Sequence, residues 1–559
     1  MSPPHKGKAK KKPILKSLLH RNAVSLAMLL IFAVFLVGGC LEKTPEISSI
    51  DPSIGKMGEL LTIRGSGFGD ERNSSFITIA GASPTSSSYL SWSDNEIAVR
   101  PPEFGEAGLV YVHRGGKKSN PAMFANIATL PESVSGAEID NSPVINSIEP
   151  SSAPIGSLIT IQGSNFGVSR ETGGVFFSWN AEAAQGITNL PDFVEVFQME
   201  SGYESWSERE IRVRIPDGAV SGNLEVRTAR GKSRPVYFEV TGKPGTKTYK
   251  DKKTYTLSYS AEIQVENASV PNALYVWMPR PALSAYQRNV TPISRSPAPF
   301  VDNYRGVSLF QFHDTPSGTK LVVNLSYETD VYAIETSIRN TAVVRLNRPL
   351  PMAAADILPS ALIPSEDQAV KAQVRTIIGT ERLPFPKAQR IYNWIVSTVK
   401  IQADLLSNNA LEALGDKIAD SYSASMLFCA LARATEIPAQ PVAGVLVDRF
   451  GNTTRHYWAE FWLDGFGWVP LDPALGAGAS PAGFDLRENH ASYYFGNLDN
   501  QRIAFSRGEH FLSRMTPRGR IASRDREYSL QNIWEEAVEG IGTFSSFWSD
   551  VTIAGMRVQ

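Results

Sequence analysis

Asp420–Gly444 reads DSYSASMLFCALARATEIPAQPVAG, and Arg455–Gly476 reads RHYWAEFWLDGFGWVPLDPALG. The first stretch reads as a helix, with Leu427, Phe428, Leu431 and Ala432 forming an apolar run around Cys429. A free cysteine in such a run is commonly buried as a small hydrophobe. The second stretch changes period: Arg455 to Leu463 alternates as a strand, with His456, Trp458, Glu460 and Trp462 on one face. Asp464–Gly467 then supplies a turn, and Trp468 to Leu471 a further strand that delivers Asp472. Two strands joined this way bring His456 and Asp472 together. Trp458 is placed either to shield the imidazole or to pack in the core, and Glu460 either to line a cleft or to stand as a satisfied strand carboxylate.

These two stretches resemble the core of the transglutaminase-like, papain-related superfamily, in which a cysteine opens the helix. Registering that family's ALARA-like and GIPAR-like pattern on Ala430–Ala434 and Glu436–Gln440 puts Ser421 at the nucleophile position. His456 and Asp472 match the other two members of the triad. The residue types matter. A thiol at a helix N-terminus beside an imidazolium exists as thiolate near neutral pH. A hydroxyl gains far too little from that setting, so a serine works only when a base removes its proton during attack. The resemblance implies that Ser421 attacks an amide or ester carbonyl, His456 shuttles the proton and Asp472 orients the ring. The Ser421 amide would contribute to an oxyanion hole. Hydrolysis is expected over cross-linking, because an acyl-serine is an ester and less reactive toward amines than the family's thioester. The other reading leaves His456 and Asp472 as a structural pair in an inactive scaffold or binding lipoprotein. Cys429 lies about 12 Å farther along the helix axis and is no substitute.

The N-terminus sets the compartment. Six Lys and one Arg lie in the first 21 residues, Ala23 to Val37 is apolar apart from Ser25, and Val37-Gly38-Gly39-Cys40 follows. This is a secretory signal with a basic n-region. Its end resembles a bacterial lipobox, which implies lipid attachment at Cys40 and an extracytoplasmic chain anchored to the cell membrane, the outer one where two exist. An uncleaved membrane helix is the alternative, and its apolar run is short against the ~20 residues a bilayer needs. With Cys40 acylated, Cys429 has no disulfide partner. Removing residues 1–39 takes away seven of 55 basic side chains and none of 56 acids, leaving a net charge of 48 − 56 = −8. Nucleic acid is therefore not an expected partner; a protein, or a peptidoglycan peptide, is. No His-Glu-x-x-His, paired Cys-x-x-Cys, EF-hand, phosphate-loop or dinucleotide spacing is present, so neither metal nor cofactor is expected.

An internal repeat organises the next region. Ile47–Pro52 (ISSIDP) matches Ile145–Pro150 (INSIEP) at an offset of 98, which also carries Gly65, Phe68 and Gly69 onto Gly163, Phe166 and Gly167. Ser91-Trp92-Ser93 matches Ser205-Trp206-Ser207 at an offset of 114, so the second repeat holds a 16-residue insertion. Short alternating runs with Gly-x-x-Phe-Gly turns read as antiparallel sandwiches. The pattern resembles the IPT/TIG family of immunoglobulin-like domains, which implies either a binding surface or a spacer.

The chain is thus expected to be multidomain. A signal peptide (1–39) and a lipidated tether (40–44) precede two all-β immunoglobulin-like sandwiches (45–128 and 143–241). A further β domain (249–350) follows, marked by alternation at Tyr255–Val265 and Leu321–Val331. An α+β transglutaminase-like, papain-like core comes next (360–515). It opens with a helix capped by Ser365 and Gln368 and a second begun by Pro386. A helical tail closes the chain (516–559), built on Ser529 to Val538.

Overall fold

The computed structural model describes residues 43–101, 108–126, 141–179, 192–197, 202–242, 244–339, 355–403, 405 and 409–558. The leader and Cys40 lie outside the described residues. Two compact units divide the chain, residues 1–129 and 130–559.

In the first unit, Glu46–Asp51, Leu61–Ser66, Glu96–Val99 and Tyr89–Trp92 form one sheet. The facing sheet has Ile54–Gly55, Ala122–Asn126, Gly108–Arg114 and Phe76–Ile79 along its path. Ile63, Phe68, Ile77, Ile97, Val110 and Phe124 fill the space between them. The repeated Gly, Phe and Trp have one structural purpose. A Cβ on Gly65 would stand 1.9 Å from the Glu46 carbonyl oxygen and 2.5 Å from the Phe68 ring, and Trp92 Nε1 donates to the Phe68 carbonyl at 3.1 Å. The second repeat reproduces this at Gly163 (2.0 Å from the Val144 carbonyl oxygen) and Trp206 (3.0 Å to the Phe166 carbonyl).

The second repeat packs into the rest of its unit. Its core runs without a break into the rest of its unit, joining Ile155 and Trp179 to Tyr249, Tyr332, Trp458, Trp462 and Trp468. The insertion that the first repeat lacks explains part of this. Phe193–Glu195 adds a strand beside Gly174–Trp179, and Asp192 in front of it forms an ion pair with Arg288 at 2.9 Å. Lys247 is buried against Asp217 and donates to the Trp468 carbonyl at 2.8 Å.

The β domain is built on β1 (Gly245–Ala268), β2 (Ala273–Pro279) and β3 (Lys320–Ile338), with β1 and β3 antiparallel over nearly their whole length. After it come helices α1 (Gln368–Ile378), α2 (Pro384–Thr398), α3 (Ala410–Asp416) and α4 (Ser421–Arg433). Two helix starts differ from the sequence reading. Asp367, not Ser365, caps α1 by accepting from the Ala369 amide, and Ser365 is buried. Helix α2 begins at Pro384 rather than Pro386, since a proline at the first helical position loses no hydrogen bond.

The core sheet runs β6-β5-β4-β7: β4 (Ala439–Val447), β5 (Thr453–Leu463), β6 (Gly467–Leu471) and β7 (Arg502–Arg507). Tyr457, Ala459, Phe461 and Leu463 pack with α4, while Trp458 and Trp462 pack on the opposite face. Gly444 in β4 faces His456 in register on one side and lets β7 approach on the other. A Cβ there would stand 2.0 Å from the Ile503 carbonyl oxygen. Gly444→Ala should cost about 1–3 kcal/mol in a chemical denaturation curve, as overpacking does. An unchanged midpoint would contradict that seating of β7.

The C-terminal residues correct the sequence reading outright. Instead of a helix they form β8 (Glu535–Ala537), β9 (Ile541–Trp548) and β10 (Thr552–Val558). Strand β8 pairs with β2, and β9 and β10 both pair with β1, so the end of the chain completes both sheets of the β domain. The expected tail is an integral part of the β domain, whose boundary is therefore discontinuous in sequence.

Candidate functional site

Asp472 follows β6 and caps the short helix α5 (Pro473–Gly476), its Oδ1 accepting from the Leu475 amide at 3.0 Å. Its Oδ2 accepts from His456 Nε2 at 2.8 Å. Both side chains are buried, Asp472 at 0% and His456 at 4% exposure. The hydrogen bond assigns the ring proton to Nε2 and leaves Nδ1 as the basic nitrogen.

Behind the pair lies a network that sequence reasoning missed. Arg502, from β7, donates Nη1 to the same Asp472 Oδ2 and Nη2 to Asp499 Oδ2, each at 2.9 Å. The Tyr494 hydroxyl donates to Asp499 Oδ2, also at 2.9 Å. Burial by itself would push both carboxyls up. His456 and Arg502 instead hold Asp472 below the usual carboxylate range, and Arg502 with hydrogen bonds from Gln501 and Tyr494 does the same for Asp499. The guanidinium stands 5.0 Å from the centre of the Trp458 ring, which lies in turn 6.4 Å from the imidazole. Trp458 therefore both packs in the core and covers the cluster. Glu460 is a satisfied carboxylate: fully buried, it accepts from the Tyr286 hydroxyl (2.7 Å), Gln440 (3.2 Å) and Arg507 (2.8 Å).

Ser421 is the first residue of α4 and is half-buried. Asp420 caps the helix reciprocally: its carboxylate accepts from the Ser423 amide at 2.8 Å, and Ser423 Oγ accepts from the Asp420 amide at 3.0 Å. The Ser421 and Tyr422 amides make no hydrogen bond to any described residue, so two first-turn donors are open. The Ser421 hydroxyl makes none either, including to His456. Helix and strand meet through the neighbours of these two residues, the Tyr422 and Tyr457 rings lying 5.0 Å apart and edge-on. The C-terminal segment forms part of the rim. Arg526 pairs with Asp420 and stands 4.5 Å over the Tyr422 ring, bracketing Ser421, and the Tyr457 hydroxyl donates to the Glu527 carbonyl at 2.7 Å. Cys429 is fully buried and its thiol is pushed up by burial, as a core residue should be.

Residues 371–473 match the family model of the transglutaminase-like superfamily, and residues 45–124 and 143–187 match the IPT/TIG domain model. An uncharacterized protein of Haemophilus influenzae is 30% identical over 179 residues, 26% of this chain and 48% of that protein. A cyclomaltodextrin glucanotransferase of Paenibacillus macerans is 30% identical over 89 residues, 16% of this chain and 12% of that enzyme. The chain thus spans less than half the length of these curated relatives. Among solved structures, a candidate cysteine protease of Cytophaga hutchinsonii is similar at 13% identity and a TM-score of 0.35, over 56% of this chain and 92% of that one. The chain carries a transglutaminase-like core together with IPT/TIG domains.

Proposed function

We propose that this chain, with its transglutaminase-like core behind IPT/TIG domains, is a surface-anchored acyl-transfer enzyme using Ser421, His456 and Asp472. Its substrates are amide or ester bonds of extracytoplasmic proteins or peptidoglycan peptides, and it is tethered through a lipid on Cys40. The observation that carries this reading is the buried 2.8 Å bond from His456 Nε2 to Asp472 on the strand that meets the start of α4. His456 Nδ1 removes the proton as Ser421 Oγ adds to the carbonyl carbon, and the open first-turn amides donate hydrogen bonds to the developing oxyanion. The proton passes to the leaving amine or alcohol, and water then hydrolyses the acyl-serine with the roles reversed. One guanidinium faces two carboxylates in the buried network, so a proton received by His456 during attack balances the surplus negative charge.

A second reading is a non-catalytic scaffold that keeps the fold and binds extracytoplasmic partners. It is favoured by one observation, the lack of a hydrogen bond between Ser421 Oγ and the imidazole. A serine-directed fluorophosphonate separates the two. With the full chain, an adduct located at Ser421 by mass spectrometry, and absent from both Ser421→Ala and His456→Ala, is the expected result. No adduct on a folded protein would sink the catalytic reading in favour of the scaffold.

A further inference from the structure

Lys247 stands near the start of β1, and Asp217 sits in the second repeat between the strands Glu210–Arg214 and Ala219–Thr228. Each side chain is only 7% exposed, and Lys247 Nζ donates to Asp217 Oδ1. Lys250, Lys252, Lys320 and Lys371 also pair with carboxylates, yet they keep 22–56% of the side chain in solvent. Lysine is rarely buried this deeply, and taking two charges out of water together is costly.

The surroundings hold this amine against this carboxyl. Lys247 Nζ also donates to the Trp468 carbonyl at 2.8 Å and stands 4.8 Å over the Phe466 ring. Glu460, whose charge also acts on Lys247, is taken up by Tyr286, Gln440 and Arg507, so Asp217 is the carboxyl in contact. Gly467, at a φ of +93°, makes room for it: a Cβ there would stand 2.2 Å from Asp217 Oδ1 and 2.7 Å from Asp217 Cγ. Gly218, at a φ of +83°, closes the other side, its Cβ position lying 3.1 Å from the Tyr249 hydroxyl and 3.3 Å from the Trp179 ring. Burial pushes the Lys247 ammonium down, and Asp217 pulls it back only in part. Desolvation of this kind turns a lysine amine into a nucleophile.

We infer that Lys247 and Asp217 condense into an intramolecular amide, a covalent tie between the second repeat and the β domain. One ammonium proton passes along the hydrogen bond to the carboxylate, and the neutral Nζ adds to Cγ. The C–N bond forms, a second proton moves from nitrogen to the leaving oxygen, the C–O bond breaks and one water departs. The third proton remains as the amide N–H, placed to donate to the Trp468 carbonyl as the ammonium does. Nothing is oxidised or reduced, and no co-reactant is consumed. The product is uncharged, so the desolvation cost of the buried pair disappears with it; this favours the amide here, although bulk water favours the separate ions. The tie uses none of Ser421, His456 and Asp472, and it stands whichever way that triad is read.

Tryptic mapping of the purified full chain tests this. Cleavage at free Lys and Arg, except before Pro, gives one peptide of residues 215–227 and another of residues 233–247. The amide protects Lys247 and instead joins peptide 215–227 to peptide 233–250, the product being lighter than the two by one water. This branched peptide should dominate, because the reacting groups are held together in every folded molecule. Fragmentation should place the branch at Asp217 and Lys247, and Lys247→Met should abolish it; the wild-type peptides decide the matter whether or not that variant folds. A water lost within a linear peptide 215–227 alone marks cyclisation at Asp217-Gly218 and would overturn the inference. So would both linear peptides at full mass, with Lys247 cleaved, from a chain that melts cooperatively.

Discussion

Arg502→Met should destabilise the second unit by about 3–5 kcal/mol at neutral pH, the cost of breaking a buried ion pair by removing one partner. Arg502 is 1% exposed and both carboxylates it serves are buried, Asp472 at 0% and Asp499 at 1%. Methionine fills much of the stem beside Trp458, so the loss is electrostatic more than steric. The pH dependence gives the sign. In the native protein both carboxyls sit below their unfolded value of about 3.9, so their contribution is fully present above that pH. It is lost as pH falls through the folded values. Without the guanidinium Asp499 loses the largest influence that holds it down, so burial raises its folded value above the unfolded one, while His456 still holds Asp472 down. The folded variant then binds more protons than its unfolded chain, and it should recover part of its lost stability as pH drops from 7 toward 5. Urea titrations of both proteins at several pH values read this directly. A deficit that stays constant with pH would mean that the loss is packing alone.

The same cluster shows what could be read from sequence and what could not. His456 and Asp472 were legible because a single turn joins their strands: alternation fixes the face, and the turn fixes the neighbour. Arg502 was not, because β7 joins the sheet beyond β4, at the opposite edge from β6, and only tertiary pairing aims its side chain at Asp472. The tail failed for a different reason. Glu535, Glu536 and Ala537 have helical propensity, and the sequence reading placed them on the helix from Ser529 to Val538. In the structure the two glutamates are wholly buried as acceptors. Glu535 takes hydrogen bonds from Trp548 Nε1 at 2.7 Å and Ser546 Oγ at 2.6 Å, and Glu536 from the Met515 amide at 2.7 Å and the Thr516 amide at 2.9 Å. Long-range sheet pairing overrides local propensity here. The apolar residues from Ile541 to Trp548 fall at 541, 544, 547 and 548, so no period-two alternation announced the strand. That override also placed Arg526 at the mouth of α4, so the tail error concealed a component of the candidate site.

Ser421→Cys should create a thiol that reacts with iodoacetamide near pH 7 while Cys429 stays inert. The introduced group would stand at the first turn of α4, where two backbone amides are open, on the helix that meets the His456 strand. An ordinary thiol with a pKa near 8.5 is only about 3% thiolate at pH 7, whereas one lowered to about 6.5 is roughly three-quarters ionised. Lower intrinsic nucleophilicity, about six- to tenfold over two pKa units, takes back most of that gain, so a rate about threefold above a free thiol is expected. His456→Ala in the same background removes the imidazolium partner. The rate should fall toward the free-thiol value, and its pH profile should move up toward about 8.5. The serine reading and the scaffold reading diverge at this point. If the thiol is activated through His456 while the native serine takes no fluorophosphonate, the fold retains a working base and only the nucleophile has been lost. If the thiol titrates near 8.5 whether or not His456 is present, the imidazole does not reach the helix start. His456 and Asp472 then serve the Arg502 cluster as a structural pair, and the core is a scaffold.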